Sequence, residues 1–236
     1  GQVLPLRGPV PRRGAAMSDL GIIGDGALLV RNGRIAAVGP RRRIERLAEA
    51  RGARRLDIGG RVALPGFVDS HTHLVFPASR ALEYEQRIAG ATYEEIARKG
   101  GGILSSVRNL RAARPAALKD RALAALREFA AHGTTTIEAK SGYGLDIAAE
   151  LKILRLHREL AKAQPLEIVS TLLGAHVVPP EFRSRRGGTD AYVDLLVWKL
   201  IPLVANEGLA EFCDVFCDRG AFSVAQARRI LTAGRA

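Results

Sequence analysis

Pro65-Gly66-Phe67-Val68-Asp69-Ser70-His71-Thr72-His73 is the stretch that decides how this chain folds. Before it, the sequence is a series of short strand-like pieces divided by glycines. After it, the rhythm becomes strand, loop, helix, repeated. The apolar entry from Gly66 to Leu74 reads as a strand, and on a strand residues two apart point the same way. His71 and His73 therefore leave one face with Cα atoms about 7 Å apart. Two imidazoles so placed converge on one ion at about 2.0–2.1 Å. The helical zinc spacing, His at i and i+4, is absent. A bare His-x-His is weak evidence, because a metal site needs further ligands. On the motif alone, two partly buried histidines hydrogen-bonded to backbone are the commoner reading; the apolar lead-in strand, the preceding Pro-Gly and the α/β repeat that follows favour the metal.

Upstream, Ala27 to Val30 and Ile35 to Gly39 flank Arg31-Asn32-Gly33-Arg34. Asn-Gly between apolar runs signals a hairpin. A short helix is expected over 41–50, and residues 1–64 read as a β-rich subdomain. Downstream, helices are expected at 92–98, 103–112 and 115–132. A strand at Thr134 to Glu138 is rich in β-branched residues. Asp146 is expected to cap a helix to Ala163, and Leu166 to Leu173 is a third strand. Thr189 or Asp190 caps a helix to Asn206, Phe212 to Phe216 is a fourth strand, and Ser223 caps a last helix. Four such units over 65–236 predict an α/β architecture, half of an eight-stranded (β/α)8 TIM barrel. An open four-stranded sheet is the alternative. The end at Ala236, just after a helix, reads as a truncation, and the initial Gly leaves a start inside the reading frame open.

Composition narrows the function classes. With 236 residues and 47% hydrophobic content the chain can bury a core. It has no apolar run of about 18 residues, so no membrane helix is expected. Residues 1–14 lack the apolar core of a secretory signal. The net charge is +12, yet 30 of the 36 basic residues are Arg and they are scattered. Arg41-Arg42-Arg43 lacks interleaved aromatics, so nucleic acid is not the expected partner. Cys213 and Cys217 on one strand would lie about 13 Å apart, too far for a disulfide. Buried free thiols in a reducing cytoplasm are expected.

The Pro65–His73 pattern resembles the first barrel strand of the amidohydrolase superfamily, and the β-rich region before it resembles that superfamily's small composite domain. Further segments are similar to the imidazolonepropionases. They are Ala89 to Ile96, Gly100-Gly101-Gly102-Ile103, Glu138-Ala139-Lys140-Ser141-Gly142-Tyr143-Gly144-Leu145, Leu173 to Glu181, and Phe212-Cys213-Asp214-Val215-Phe216-Cys217. The resemblance implies hydrolysis of the cyclic amide 4-imidazolone-5-propanoate to N-formimidoyl-L-glutamate in histidine degradation. It implies one zinc or iron ion held partly by His71 and His73, and substrate contacts from Arg80, Tyr143 and His176. The family's remaining histidine and aspartate ligands come from later strands, so the 236 residues alone are expected to be inactive and to bind metal weakly.

Each carried-over residue has a physical rationale. A guanidinium fork at Arg80 suits the propionate carboxylate, although a surface Arg is ordinary in this chain. Tyr143, between glycines, offers a hydroxyl; the alternative is a loop tyrosine packed on a helix. His176, at the end of a strand, orients or polarises the ring carbonyl; the alternative is a structural histidine. Tyr93 is a further candidate for the carboxylate. Asp69 either orients a metal ligand or forms a salt bridge. Glu138 and Lys140 share a face and are expected to pair, and Lys140 stands too early to bridge two metals. The Gly100–Gly102 run is not a P-loop, because no Gly-Lys-Ser/Thr follows; it reads as a flexible loop near the site. His132 and His157 are expected within helices, without a role. The implied chemistry is metal-assisted hydrolysis. Its partner is a small molecule, with neither nucleic acid nor membrane involved, and a homodimer of a longer chain is left open. Competing readings are an amidohydrolase acting on another cyclic amide or aminated ring, and a basic binding module without enzymatic activity.

Overall fold

In the computed structural model, which describes residues 1–92, 95–96 and 101–235, the Asn-Gly turn closes a hairpin. Strands β2 (Gly26–Arg31) and β3 (Arg34–Pro40) pair antiparallel, with Arg31 opposite Arg34. Asn32 and Gly33 both take positive φ, 51° and 72°. That is the turn whose twist matches the flanking strands. Strand β1 (Gln2–Val3) lies parallel to β4 (Val62–Ala63). Helix α1 (Arg41–Glu45) stops short of the expected span, and a 3-10 turn follows at Ala48–Ala50. Val3, Leu29 and Ile44 are the buried apolar residues of this region. It forms one compact unit, Gly1–Gly66.

The second unit, Phe67–Ala236, is built on a curled, wholly parallel sheet in the order β5-β6-β7-β8. The strands are β5 (Phe67–Thr72), β6 (Thr134–Lys140), β7 (Glu167–Ala175) and β8 (Phe212–Val215). Between β5 and β6 come α2 (Ala81–Ile88), α3 (Ile103–Ala112) and α4 (Pro115–Ala131). Helix α5 (Ile147–Ala163) joins β6 to β7. After β7 come α6 (Pro180–Arg183), α7 (Gly188–Leu195), a π-helical turn at Leu196–Leu200 and α8 (Ile201–Glu207). Helix α9 (Val224–Arg235) follows β8. The expected helix at 92–98, Tyr93 and Gly100 fall at least partly outside the described residues.

Caps account for several helix starts. Asp146 Oδ1 accepts from Ala149 N at 2.7 Å. Ser223 and Gln226 exchange side-chain-to-backbone bonds at 3.3 and 2.9 Å, a reciprocal capping pair. The start of α7 differs from expectation. Gly187, with φ 70°, precedes it instead of a Thr189 or Asp190 cap. A left-handed backbone there turns the chain into the helix, and glycine adopts it without steric cost.

Helix α5 holds two apolar clusters together. Leu151 and Leu154 pack with Leu172, Tyr192, Leu196 and Phe222. Ile153, Leu156 and Leu160 pack with Leu118, Leu126 and Ile137. Central strands β6 and β7 are buried toward their C-terminal ends, whereas Phe67 on edge strand β5 and Phe212 on edge strand β8 stay exposed. Neither cysteine forms a disulfide. The expectation of two buried thiols is corrected at Cys217, which lies past the end of β8 and is exposed. Burial does push the Cys213 thiol up to about 11. Among the described residues no helix is long and apolar enough to cross a membrane.

His157 lies within α5, as expected, and is fully buried. Its Nδ1 faces Ser170 Oγ at 3.0 Å, and Nε2 has no partner. Burial pulls its pKa from 6.5 down to about 3. The folded ring therefore stays neutral while the unfolded chain takes up a proton. Stability from this site is complete above pH 6.5 and is lost as pH falls toward 3. Acidification to about pH 5 is expected to cost about 2 kcal/mol through His157. Urea titrations of wild type and His157→Leu check this. A wild-type loss no steeper than the variant's contradicts it.

Candidate active site

Four aromatic side chains from three strand ends meet at one place. His71 and His73 come from the end of β5 and the residue after it. Tyr143 comes from the loop after β6, and His176 follows β7. The His71 and His73 centroids are 5.8 Å apart, edge to face. His73 stacks on Tyr143 at 4.3 Å and 18°, and on His176 at 5.0 Å and 10°. Tyr143 and His176 are 5.7 Å apart. Phe216, just past β8, approaches His176 edge-on. Parallel strands end at the same level, so loops from neighbouring strands necessarily converge there.

The protonation states follow from burial. His73 is pulled down to about 3, first by desolvation and then by His176 and His71, against a hydrogen bond to the Ser141 backbone. His176 is also lowered, chiefly by burial. Both rings are therefore neutral near pH 7, and neutral rings stack without charge repulsion. His176 Nδ1 lies 3.0 Å from Gly142 O. A carbonyl can only accept, so Nδ1 carries the proton and Nε2 presents a lone pair. His73 Nδ1 is buried without a hydrogen-bond partner. A neutral imidazole with an unused nitrogen is the donor type that suits zinc or iron. Among the described residues no group of three or more His, Cys, Asp or Glu side chains is arranged to hold a metal ion.

The remaining candidates separate. Arg80 caps the start of α2 and directs its guanidinium to Glu83, Nε to Oε2 at 2.7 Å. Glu83 also accepts from Gly102 N at 3.0 Å. The structure places Arg80 in this pair. Asp69 Oδ1 accepts from the His71 backbone amide at 3.2 Å, so it steadies the backbone and not the ring. Lys140 pairs with Glu138 as expected, but Asp214 on β8 joins at 3.0 Å and Thr171 donates to Glu138 at 2.7 Å. His132 is the cap residue after α4, not an interior position, and lines a cleft of about 720 Å³ with His71 and His73.

No family model matches the chain. Curated relatives do. It is 52% identical over 238 residues to an imidazolonepropionase of Symbiobacterium thermophilum, covering 100% of this chain and 55% of that protein. It is 50% identical over 235 residues to the imidazolonepropionase of Solibacter usitatus, covering 99% and 55%. The Geobacillus kaustophilus imidazolonepropionase is 48% identical over 225 residues, covering 93% and 52%. Along almost its whole length the chain is similar to imidazolonepropionases. It spans about half the length of the curated relatives it matches.

The residue pattern did not reveal the groups that hold the Tyr143 loop. Arg111 on α3 donates Nε to Gly144 O at 2.7 Å and pairs with Asp146 and Glu181, both at 2.8 Å. Glu150, on the first turn of α5, is fully buried and accepts from the backbone of Gly142, Gly144 and Leu145. A carboxylate at the helix position four after Asp146 has an ordinary pattern in sequence. Its signal is the pair Gly142 and Gly144 just upstream, because glycines allow three amides to turn toward one point.

Proposed function

We propose that this chain supplies part of the active site of an imidazolonepropionase, a hydrolase that opens 4-imidazolone-5-propanoate to N-formimidoyl-L-glutamate in histidine degradation. The observation that carries the reading is the ring cluster of His71, His73, Tyr143 and His176, in a chain about half identical to proteins of that name. The parallel sheet is then the first half of an amidohydrolase barrel over 65–236, after a composite subdomain over 1–64. A cytoplasmic location suits two free cysteines.

His71 and His73 would hold one zinc or iron ion, with further ligands from family strands beyond the 236 residues. The ion supplies a Lewis acid and makes a nucleophile available near neutral pH. The protein's own groups bind and orient. His176 Nε2, with its lone pair exposed by the Nδ1 bond to Gly142, accepts from a ring N–H of the substrate. That assigns His176 to orienting the substrate rather than polarising its carbonyl. The Tyr143 ring covers His73 and its hydroxyl meets the substrate's polar edge. Arg80 reaches the propionate carboxylate after exchanging Glu83 for it.

The Arg80–Glu83 pair also favours a second reading, an amidohydrolase for a cyclic amide without a carboxylate tail. Turnover assays separate the two. A full-length family enzyme carrying this chain is expected to hydrolyse 4-imidazolone-5-propanoate and to leave hydantoin and dihydrouracil untouched. Preference for either of those rings overturns the first reading. The 236 residues alone are expected to show no turnover and weak zinc binding; robust turnover by them would contradict the shared-site proposal.

A further inference from the structure

The mechanism leaves one fully buried carboxylate unused. Glu150 cannot touch substrate, and a buried charge costs several kcal/mol unless it is satisfied. Here it is satisfied by donors alone. Its Oε1 accepts from Gly142 N at 3.1 Å, Gly144 N at 2.7 Å and Leu145 N at 2.9 Å, and Oε2 accepts from Gly142 N at 3.0 Å. Ser141 Oγ accepts from Leu173 N at 2.9 Å, which frees its own proton for Glu150. Burial pushes the carboxyl's pKa up, and the converging Ser141, Leu145, Gly144 and Gly142 donors oppose it by favouring the charged form. The backbone nest therefore fits a carboxylate.

The loop bound by this carboxylate is strained. Gly142 has φ 101° and Leu145 has φ 55°. A leucine in the left-handed region persists only where its surroundings over-determine it. A side chain at Gly144 would lie 2.6 Å from the Glu150 backbone nitrogen, so loop and helix are in direct contact. On its other side the same loop serves the ring cluster. Gly142 O accepts a hydrogen bond from His176 Nδ1, and Tyr143 stacks on His73.

We propose that Glu150 is a positioning residue whose carboxylate holds the Gly142–Leu145 loop in the conformation that stacks Tyr143 on His73 and gives His176 its hydrogen-bond acceptor. Its catalytic consequence rests on the imidazolonepropionase reading; the geometry it sets does not. Glu150→Gln puts an amide N–H among N–H donors, and Glu150→Asp keeps the charge but withdraws it by one methylene.

The first measurement is the ring-current shift that Tyr143 imposes on the His73 ring protons, read by NMR in the 236-residue chain. Glu150→Gln is expected to remove it as fully as Tyr143→Leu does, and Glu150→Asp to reduce it. If Glu150→Gln does not fold, Glu150→Asp decides. A wild-type shift in either folded variant overturns the proposal. The second measurement is a double-mutant cycle in the full-length enzyme. Glu150→Gln is expected to lower kcat/KM on the order of 10–100-fold, and Tyr143→Phe is expected to add less than its effect in wild type. Fully multiplicative losses overturn the proposal. A wild-type enzyme without turnover sinks the functional reading, while the ring shift still decides the role of Glu150.

Discussion

Replacing His73 with alanine is expected to weaken zinc binding by more than about 100-fold, beyond the usual cost of disturbing an outer-shell partner, and to abolish turnover. His73 is the cluster's most constrained ring. It stacks on both Tyr143 and His176, burial keeps it neutral, and its Nδ1 has no other partner. Alanine removes the donor nitrogen and the surface on which Tyr143 rests. His132→Ala is the control, because His132 lines the same cleft but is exposed and bonds its own helix at Glu128 O. Zinc titration calorimetry and turnover of a full-length family enzyme carrying this chain measure both. Equal losses from the two substitutions would mean that the cleft, and not His73, sets metal affinity.

Gly142→Ala is expected to destabilise the fold and unseat the ring cluster together. Its φ of 101° is one that L side chains rarely adopt. The new Cβ would stand 2.7 Å from Leu173 O and 3.0 Å from His176 Cβ and Nδ1. Strain alone costs about 1–3 kcal/mol, and relief requires moving the loop away from β7. That movement breaks the His176 bond and the Glu150 bonds together. A lower urea midpoint is therefore expected, accompanied by loss of the Tyr143 ring-current shift on His73. A stable variant with the shift intact would show that the loop has more freedom than its contacts indicate. Gly33→Ala is the comparison. It also has positive φ, but its Cβ meets nothing within 4 Å, so it bears the backbone strain without the clash.

Local pattern alone located the hairpin, the four parallel strands, the Asp146 and Ser223 caps and the His-x-His pair. Each depends on neighbours within a few residues: a turn dipeptide, β-branched runs, a side chain reaching its own helix end. It also placed Tyr143 and His176 after successive strands. Only the tertiary structure decided that their rings stack on His73, that Asp214 joins the Glu138–Lys140 pair, and that Arg80 is held by Glu83. It likewise decided that Glu150 turns inward to bind three backbone amides. These are contacts between side chains and loops set by the curl of the sheet, and no periodicity along the chain encodes which donor a buried carboxylate will meet.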